Sequence, residues 1–212
     1  MAKFDGNTFT DFPLPIPDIE VPSYQETENW VTDIIEDKEG NMWFGRSGYG
    51  ACKWDGKTFT HFTKKDGLPS NCIQAITEDL QGDIWFGTRV GEKDHPDPDK
   101  RVGESGLCRY DGKSFTHFPD IEGLSKNDMY SIYKDKRGDL WIGANGVGVY
   151  RYDGKDFTLF YETDREDMDY QLGGIQSILE AKNGQLWVGV SGGLFRLSGM
   201  YFNHVSQEDL QK

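Results

Sequence analysis

No stretch of the chain approaches the roughly 18 consecutive apolar residues of a membrane-spanning helix. No basic segment followed by an apolar one marks a secretory leader, and no long amphipathic helical run is visible. Basic residues are scarce: 23 Lys and Arg stand against 36 Asp and Glu, a formal net charge of −13. That balance disfavours nucleic acid and anionic membrane surfaces as partners. Catalytic motifs are thin as well. The chain has four histidines, and no GxSxG, HExxH or phosphate-binding glycine loop occurs. Three cysteines, Cys52, Cys72 and Cys108, cannot all pair within one chain and match no metal-knuckle spacing, which reads as buried free thiols.

What the 212 residues do hold is glycine (26) and aromatics (14%), a profile of short strands and glycine turns. Both are laid out in a repeat. EDKEGNMWFG (Glu36 to Gly45) returns as EDLQGDIWFG from Glu78, KDKRGDLWIG from Lys134 and EAKNGQLWVG from Glu180. After each comes a second motif: KWDGKTFTHF from Lys53, RYDGKSFTHF from Arg109, RYDGKDFTLF from Arg151 and the eroded RLSGMYFNHV from Arg196. An unpaired copy, KFDGNTFTDF, opens at Lys3. Self-similarity at this spacing marks an array of one supersecondary unit.

In the type repeat, VTDIIED reads as strand A and NMWFG as strand B. They are joined by a turn in which Asp37 caps the backbone and Gly40 takes a positive φ. ACKW reads as strand C, leading through Asp55-Gly56 into KTFTHF, strand D. Strand B is apolar throughout rather than alternating, so it is expected to be buried on both faces. Four-stranded antiparallel sheets that need neighbours on both sides stack around an axis. The expected fold is therefore all-β, a β-propeller of four to five blades in a single domain over 1–212. The blades fall near 31–63, 73–118, 129–160 and 175–205, with 3–12 a spare C–D strand pair. Its missing partner leaves three arrangements open: an excerpt of a larger propeller, a four-bladed closure with a strand added at an edge, or completion by a second chain as a homodimer.

The pattern I-x-x-D-x-x-G-x-[LIM]-W-[FIV]-G followed by [YWF]-D-G-x-x-F resembles the two-component regulator propeller repeat, and the link GLPSNCIQAITED from Gly67 is similar to that family's strand connection. The resemblance implies a periplasmic or extracellular sensing propeller that acts with a signalling module.

Strand alternation places A–B and C–D turns on one face and B–C turns with D–A links on the other. The first set is short and constant. The second carries the insertions PLPIPDIEVPSYQETENW, TRVGEKDHPDPDKRVGES and YETDREDMDYQLGG. Long loops on a rigid scaffold are where binding usually resides, so the constant face is expected to be scaffold and the other face the site. Candidate ligand-binding residues there are Tyr24, Trp30, Arg46, Tyr49, Asn71, Arg89, Asn127, Asn145 and Tyr170, aromatic platforms with polar partners that suit an oligosaccharide or other small molecule. His95, Asp97 and Asp99 alternate along DHPDPD, where they could converge on a divalent cation, although no complete ligand set is visible. Arg137-Gly138-Asp139 spells RGD but lies on a repeat turn, which already explains it. His61 and His117 hold equivalent places in strand D and read as structural. The resulting expectation is a non-catalytic ligand-binding sensor without a resident cofactor. A protein-interaction scaffold is the alternative, and a metal-dependent, lyase-like propeller enzyme the second alternative.

Overall fold

In the computed structural model of the chain, the described residues are 1–23, 30–119, 121–125, 127–164, 174–206 and 209, with the backbone alone at Asp94. Strands β1 (Ala2–Phe4) and β2 (Phe9–Asp11) form a lone antiparallel hairpin. A first blade follows, β3 (Val31–Glu36), β4 (Met42–Arg46), β5 (Gly50–Trp54) and β6 (Phe59–Phe62), hydrogen-bonded in that order. The second has β7 (Ile73–Glu78), β8 (Ile84–Thr88), β9 (Gly106–Tyr110) and β10 (Phe115–His117). The third has β11 (Met129–Lys134), β12 (Leu140–Ala144), β13 (Gly148–Tyr152) and β14 (Phe157–Phe160). After the short β15 (Glu162–Thr163), the fourth has β16 (Ile175–Glu180), β17 (Leu186–Val190), β18 (Gly193–Ser198) and β19 (Tyr201–His204). The fold is the β-propeller expected from the repeat, with four complete four-stranded blades and the outer half of another.

The decapeptide motif explains the blade. Asp37 Oδ1 accepts the backbone N–H groups of Glu39 (3.0 Å) and Asn41 (2.8 Å), while its Oδ2 accepts the Trp43 indole N–H at 2.8 Å. Asp79 holds Trp85 in the same way at 2.8 Å, and Asp135 holds Trp141 at 3.0 Å. The turn glycines Gly40, Gly82 and Gly138 adopt φ of 84°, 94° and 94°, the left-handed region the turn needs. Burial alone would raise the carboxyls of Asp37 and Asp135, but the indole and amide donors outweigh it and hold both below the ordinary value. A depressed folded-state value means this stabilisation is present above the unfolded carboxylate range and is lost as pH falls through the folded value.

Each indole projects from its own blade onto the next. Trp43 meets Phe86 and Tyr110 of the second blade, and Trp85 meets Tyr152 and Phe157 of the third. The motif glycine permits the close approach: a Cβ on Gly45 would lie 2.8 Å from Ile73 Cγ2, and one on Gly87 would lie 2.8 Å from Met129 Cβ and 2.9 Å from its carbonyl oxygen. Inner strands are also stitched across blades, with Thr32 Oγ1 donating to the Ile73 carbonyl (2.8 Å) and the Ile76 N–H donating to Asp33 Oδ2 (2.7 Å). Cys52, Cys72 and Cys108 are free thiols in this interior, as read from the sequence.

The blades make an open arc. Inner strands pack in succession, β3 on β7, β7 on β11 and β11 on β16, and among the described residues no comparable packing returns from β16 to β3. Burial agrees: Ile34 on β3 is 44% exposed and Leu179 on β16 57%. The hairpin β1–β2 sits where the outer pair of a preceding blade would sit. Phe12, just beyond it, packs 5.2 Å from Trp54 and 5.9 Å from Phe59, as Phe62 packs against Tyr110 and Phe115. A groove of about 270 Å³ between Phe12, Ile34, Phe44 and Trp54 lies where the other junctions hold a tryptophan. Strand β15 has no counterpart in the repeat pattern; it pairs in parallel with β19 and covers the outer edge of the fourth blade. Part of the D–A insertion that begins at Tyr161 is thus used as an edge strand.

In the fourth blade Ala181 replaces the turn aspartate. Restoring it with Ala181→Asp should supply an acceptor for the turn amides and the Trp187 indole, and raise stability by roughly 0.5–1.5 kcal/mol in urea unfolding. Gly87→Ala should do the opposite, because a Cβ there meets Met129 backbone. A loss of about 1–3 kcal/mol is expected from the same measurement.

Candidate functional site

Hydrogen bonds verify the two-face assignment. B–C turns bond D–A links throughout: Ser47 N–H to the Trp30 carbonyl (3.2 Å), Gly50 N–H to Asn71 (2.8 Å) and Asn145 N–H to Asp128 (3.1 Å). On the opposite face A–B turns bond each other. The Lys38 ammonium donates to the Gln81 carbonyl and that of Lys136 to the Ala181 carbonyl, both at 2.7 Å.

The long B–C insertion of the second blade forms two short 3-10 turns, Gly91–Asp94 and Pro98–Lys100, and is anchored rather than free. Its anchor is Asp128, a D–A link residue only 2% exposed. One carboxylate oxygen accepts the Val90 N–H (3.0 Å); the other accepts the Lys93 ammonium (2.5 Å) and the Tyr130 hydroxyl (3.1 Å). The insertion is so held against the third blade. A cleft of about 350 Å³ opens on this face between Lys64, Leu68 and Pro69 of one D–A link, Glu104 and Ser105 of the insertion, and Phe118, Pro119 and Ser125 of the next link. Lys64 and Glu104 form an ion pair across it at 3.5 Å.

The residues picked from sequence fall into three groups. Arg46 is 1% exposed; its guanidinium donates to the Pro15 carbonyl (2.8 Å) and lies 4.6 Å over the ring of Tyr49, itself 3% exposed. Asn71 accepts the Lys64 N–H and Asn145 accepts the Gly174 N–H, so both amides order loops. Trp30 is 58% exposed, Asn127 is half-buried, and Arg89 reaches back to the Val90 carbonyl at 3.5 Å. Tyr24 and Tyr170 lie outside the described residues. The structure thus brings Arg46, Tyr49 and Asn71 together around the first B–C turn, whereas the cleft is lined by residues the sequence reading did not single out. Their signals were the pair of links GLPSN (Gly67) and GLSKN (Gly123) and, for Glu104 and Ser105, the long B–C insertion.

His95, Asp97 and Asp99 are bound up locally: His95 Nδ1 accepts the Asp97 N–H (2.9 Å), and Asp97 Oδ1 accepts the Asp99 N–H (3.1 Å). Among the described residues no three His, Cys, Asp or Glu side chains converge as a metal-holding group, and no helix is long and apolar enough to cross a membrane. His61 is held below its ordinary value by burial and the nearby Arg46 charge.

Asp128→Ala should leave the Val90 amide and the Lys93 ammonium without their acceptor. It should cost about 1–3 kcal/mol and speed proteolysis within residues 91–105, read by limited digestion beside the wild type.

The model of the two-component regulator propeller matches residues 25–45, 67–89 and 123–146. No curated protein matches the chain. Among solved structures, the extracellular domain of a protein described as a hybrid two-component system of B. thetaiotaomicron is similar at 23% identity and a TM-score of 0.59, over 78% of this chain and 21% of that one. Virginiamycin B lyase from Staphylococcus aureus is similar at 18% identity and a TM-score of 0.61, over 92% of this chain and 58% of that one. PorZ of Porphyromonas gingivalis, a surface component of the type-IX secretion system, gives 19% identity and a TM-score of 0.53, over 78% and 25%. The chain therefore spans about a fifth of the first and less than two thirds of the lyase. Three segments of the chain thus match the two-component regulator propeller repeat, and its sheets are arranged as blades.

Proposed function

We propose that this propeller is a non-catalytic sensing module, periplasmic or extracellular, which recognises a carbohydrate or another small ligand on the face of the B–C turns and D–A links. The observation that carries the reading is anchoring on one face: Asp128 ties down the long B–C insertion there and Arg46 the segment at Pro15, and the B–C insertion frames, with two D–A links, a cleft with both charged and apolar walls. An anchored loop loses little entropy on binding, which favours recognition over a tolerated insertion. Trp30 offers a flat exposed indole on the same face, and sugar C–H faces stack on such rings. Binding would act on an attached or partner signalling module through a difference in affinity between two of its arrangements. Calorimetric titration against a panel of oligosaccharides tests this. A saturable response weakened about tenfold in Trp30→Ala is expected, and silence across the panel would sink the reading.

A second reading, a protein-interaction scaffold, is favoured by the apolar groove beside β3 and the exposed Phe4, Phe9 and Ile34 near it. Light scattering across a concentration series separates the two. A dimer that Ile34→Lys converts to monomer supports contact between copies, and a monomer at every concentration removes it.

A further inference from the structure

The constant face, expected to be scaffold, holds a cavity of about 540 Å³ between the third and fourth blades. Comparing the junctions shows why it exists. At the first, Tyr110 packs 6.3 Å from Trp43, 5.0 Å from Phe62 and 4.8 Å from Phe115, and its hydroxyl donates to the Gly112 carbonyl at 2.9 Å. At the second, Tyr152 packs 5.0 Å from Trp85 and 4.6 Å from Phe157, and its hydroxyl donates to the Gly154 carbonyl, again at 2.9 Å. At the third the corresponding residue is Leu197: it pairs with Phe202 as Tyr110 pairs with Phe115 and Tyr152 with Phe157. Gly199 takes the place of the accepting glycine. Among the described residues Trp141 keeps one aromatic neighbour, Phe160 at 5.3 Å.

The lining defines what would fit. Trp141, Phe160, Leu186 and Leu197 make an apolar floor, and the Trp141 N–H is already committed to Asp135. The rim charges compensate one another: Arg137 faces Asp135 (3.3 Å) and Asp139 (3.4 Å), and Arg151 bonds Asp139 at 2.7 Å. Such a rim gives no strong field to select an ionised ligand, so the pocket calls for a neutral, flat ring with one donor.

We propose that this cavity binds a 4-hydroxyphenyl group, seated on Trp141 as Tyr110 and Tyr152 seat on Trp43 and Trp85, with its hydroxyl donating to the Gly199 carbonyl. The volume lies within the range of small-ligand pockets and leaves room for substituents on the ring. The site is independent of the long-loop face and does not rest on the sensing role proposed there.

Calorimetric titration of the whole chain with p-cresol and with N-acetyl-tyrosinamide tests it, the two ligands separating a free phenol from a tyrosyl side chain as the source. Toluene and N-acetyl-phenylalaninamide, which lack the donor, should bind about fivefold more weakly, the factor expected for one net hydrogen bond. Leu197→Tyr restores the residue of the other blades. It should raise the melting temperature and abolish binding of both phenols, a loss that cannot come from unfolding. Saturable binding by at least one phenol, lost in Leu197→Tyr, supports the assignment. No saturable binding by either at millimolar concentration, or binding unchanged in Leu197→Tyr, overturns it.

Discussion

The bond from the strand-B indole to the aspartate of its own turn, made in the first three blades, is the interaction on which the arc depends. A buried indole N–H without an acceptor costs on the order of 1–3 kcal/mol, so the aspartate is what allows Trp43, Trp85 and Trp141 to lie inside a blade interface. The same carboxylate closes the turn through its amides, so turn geometry and indole orientation cannot vary independently. The indole then serves as the knob entering the next blade, and the glycine two residues on lets that blade's inner strand approach. One short motif therefore sets the turn, the sheet and the contact between sheets, which is why it persists while the loops around it change.

The fourth blade shows how the sheet responds when the motif is relaxed. Ala181 removes the indole acceptor, Leu197 removes the tyrosine and Ser198 replaces the turn aspartate, yet β16 to β19 still form a regular sheet. The backbone survives because strand pairing and the contact of Gly143 with Ile175 remain. What is lost is local filling at the junction with the third blade. Toward the third blade a cavity opens over Trp141, whereas the exposure of Leu179 on the other side comes from the open end of the arc.

Fold was legible because it is written redundantly. Four copies of Asp-x-x-Gly-x-x-Trp, or their remnant, fix strand order and parity, and a reader needs only alternation to assign the faces. The hairpin beginning at Lys3 was also readable as an outer pair without its inner partner, and Phe12 confirms it by repeating the contacts of Phe62. The candidate site was less legible, because each loop occurs once. Arg46 and Asn71 have the chemistry of ligand-binding residues, and sequence does not show that Pro15 and Lys64 already occupy them. Nor does it show that Asp128, an ordinary link residue by composition, holds a distant insertion through two bonds. Such pairings depend on tertiary proximity alone. The edge strand β15 escaped for the same reason: two residues long, it has no period to detect.

The faces therefore differ in kind rather than in importance. On the long-loop face, variety comes from inserted backbone, and each insertion needs an anchor before it can present a fixed surface. On the constant face the backbone hardly changes, so variety can enter only by side-chain substitution within a fixed frame. A truncation such as tyrosine to leucine is then especially informative, because the neighbouring junctions display the missing group in place, with its ring contacts and its hydrogen bond. In a repeat protein the intact copies act as internal controls for the eroded one. A cavity they define has a known shape and a known acceptor, which most surface clefts lack.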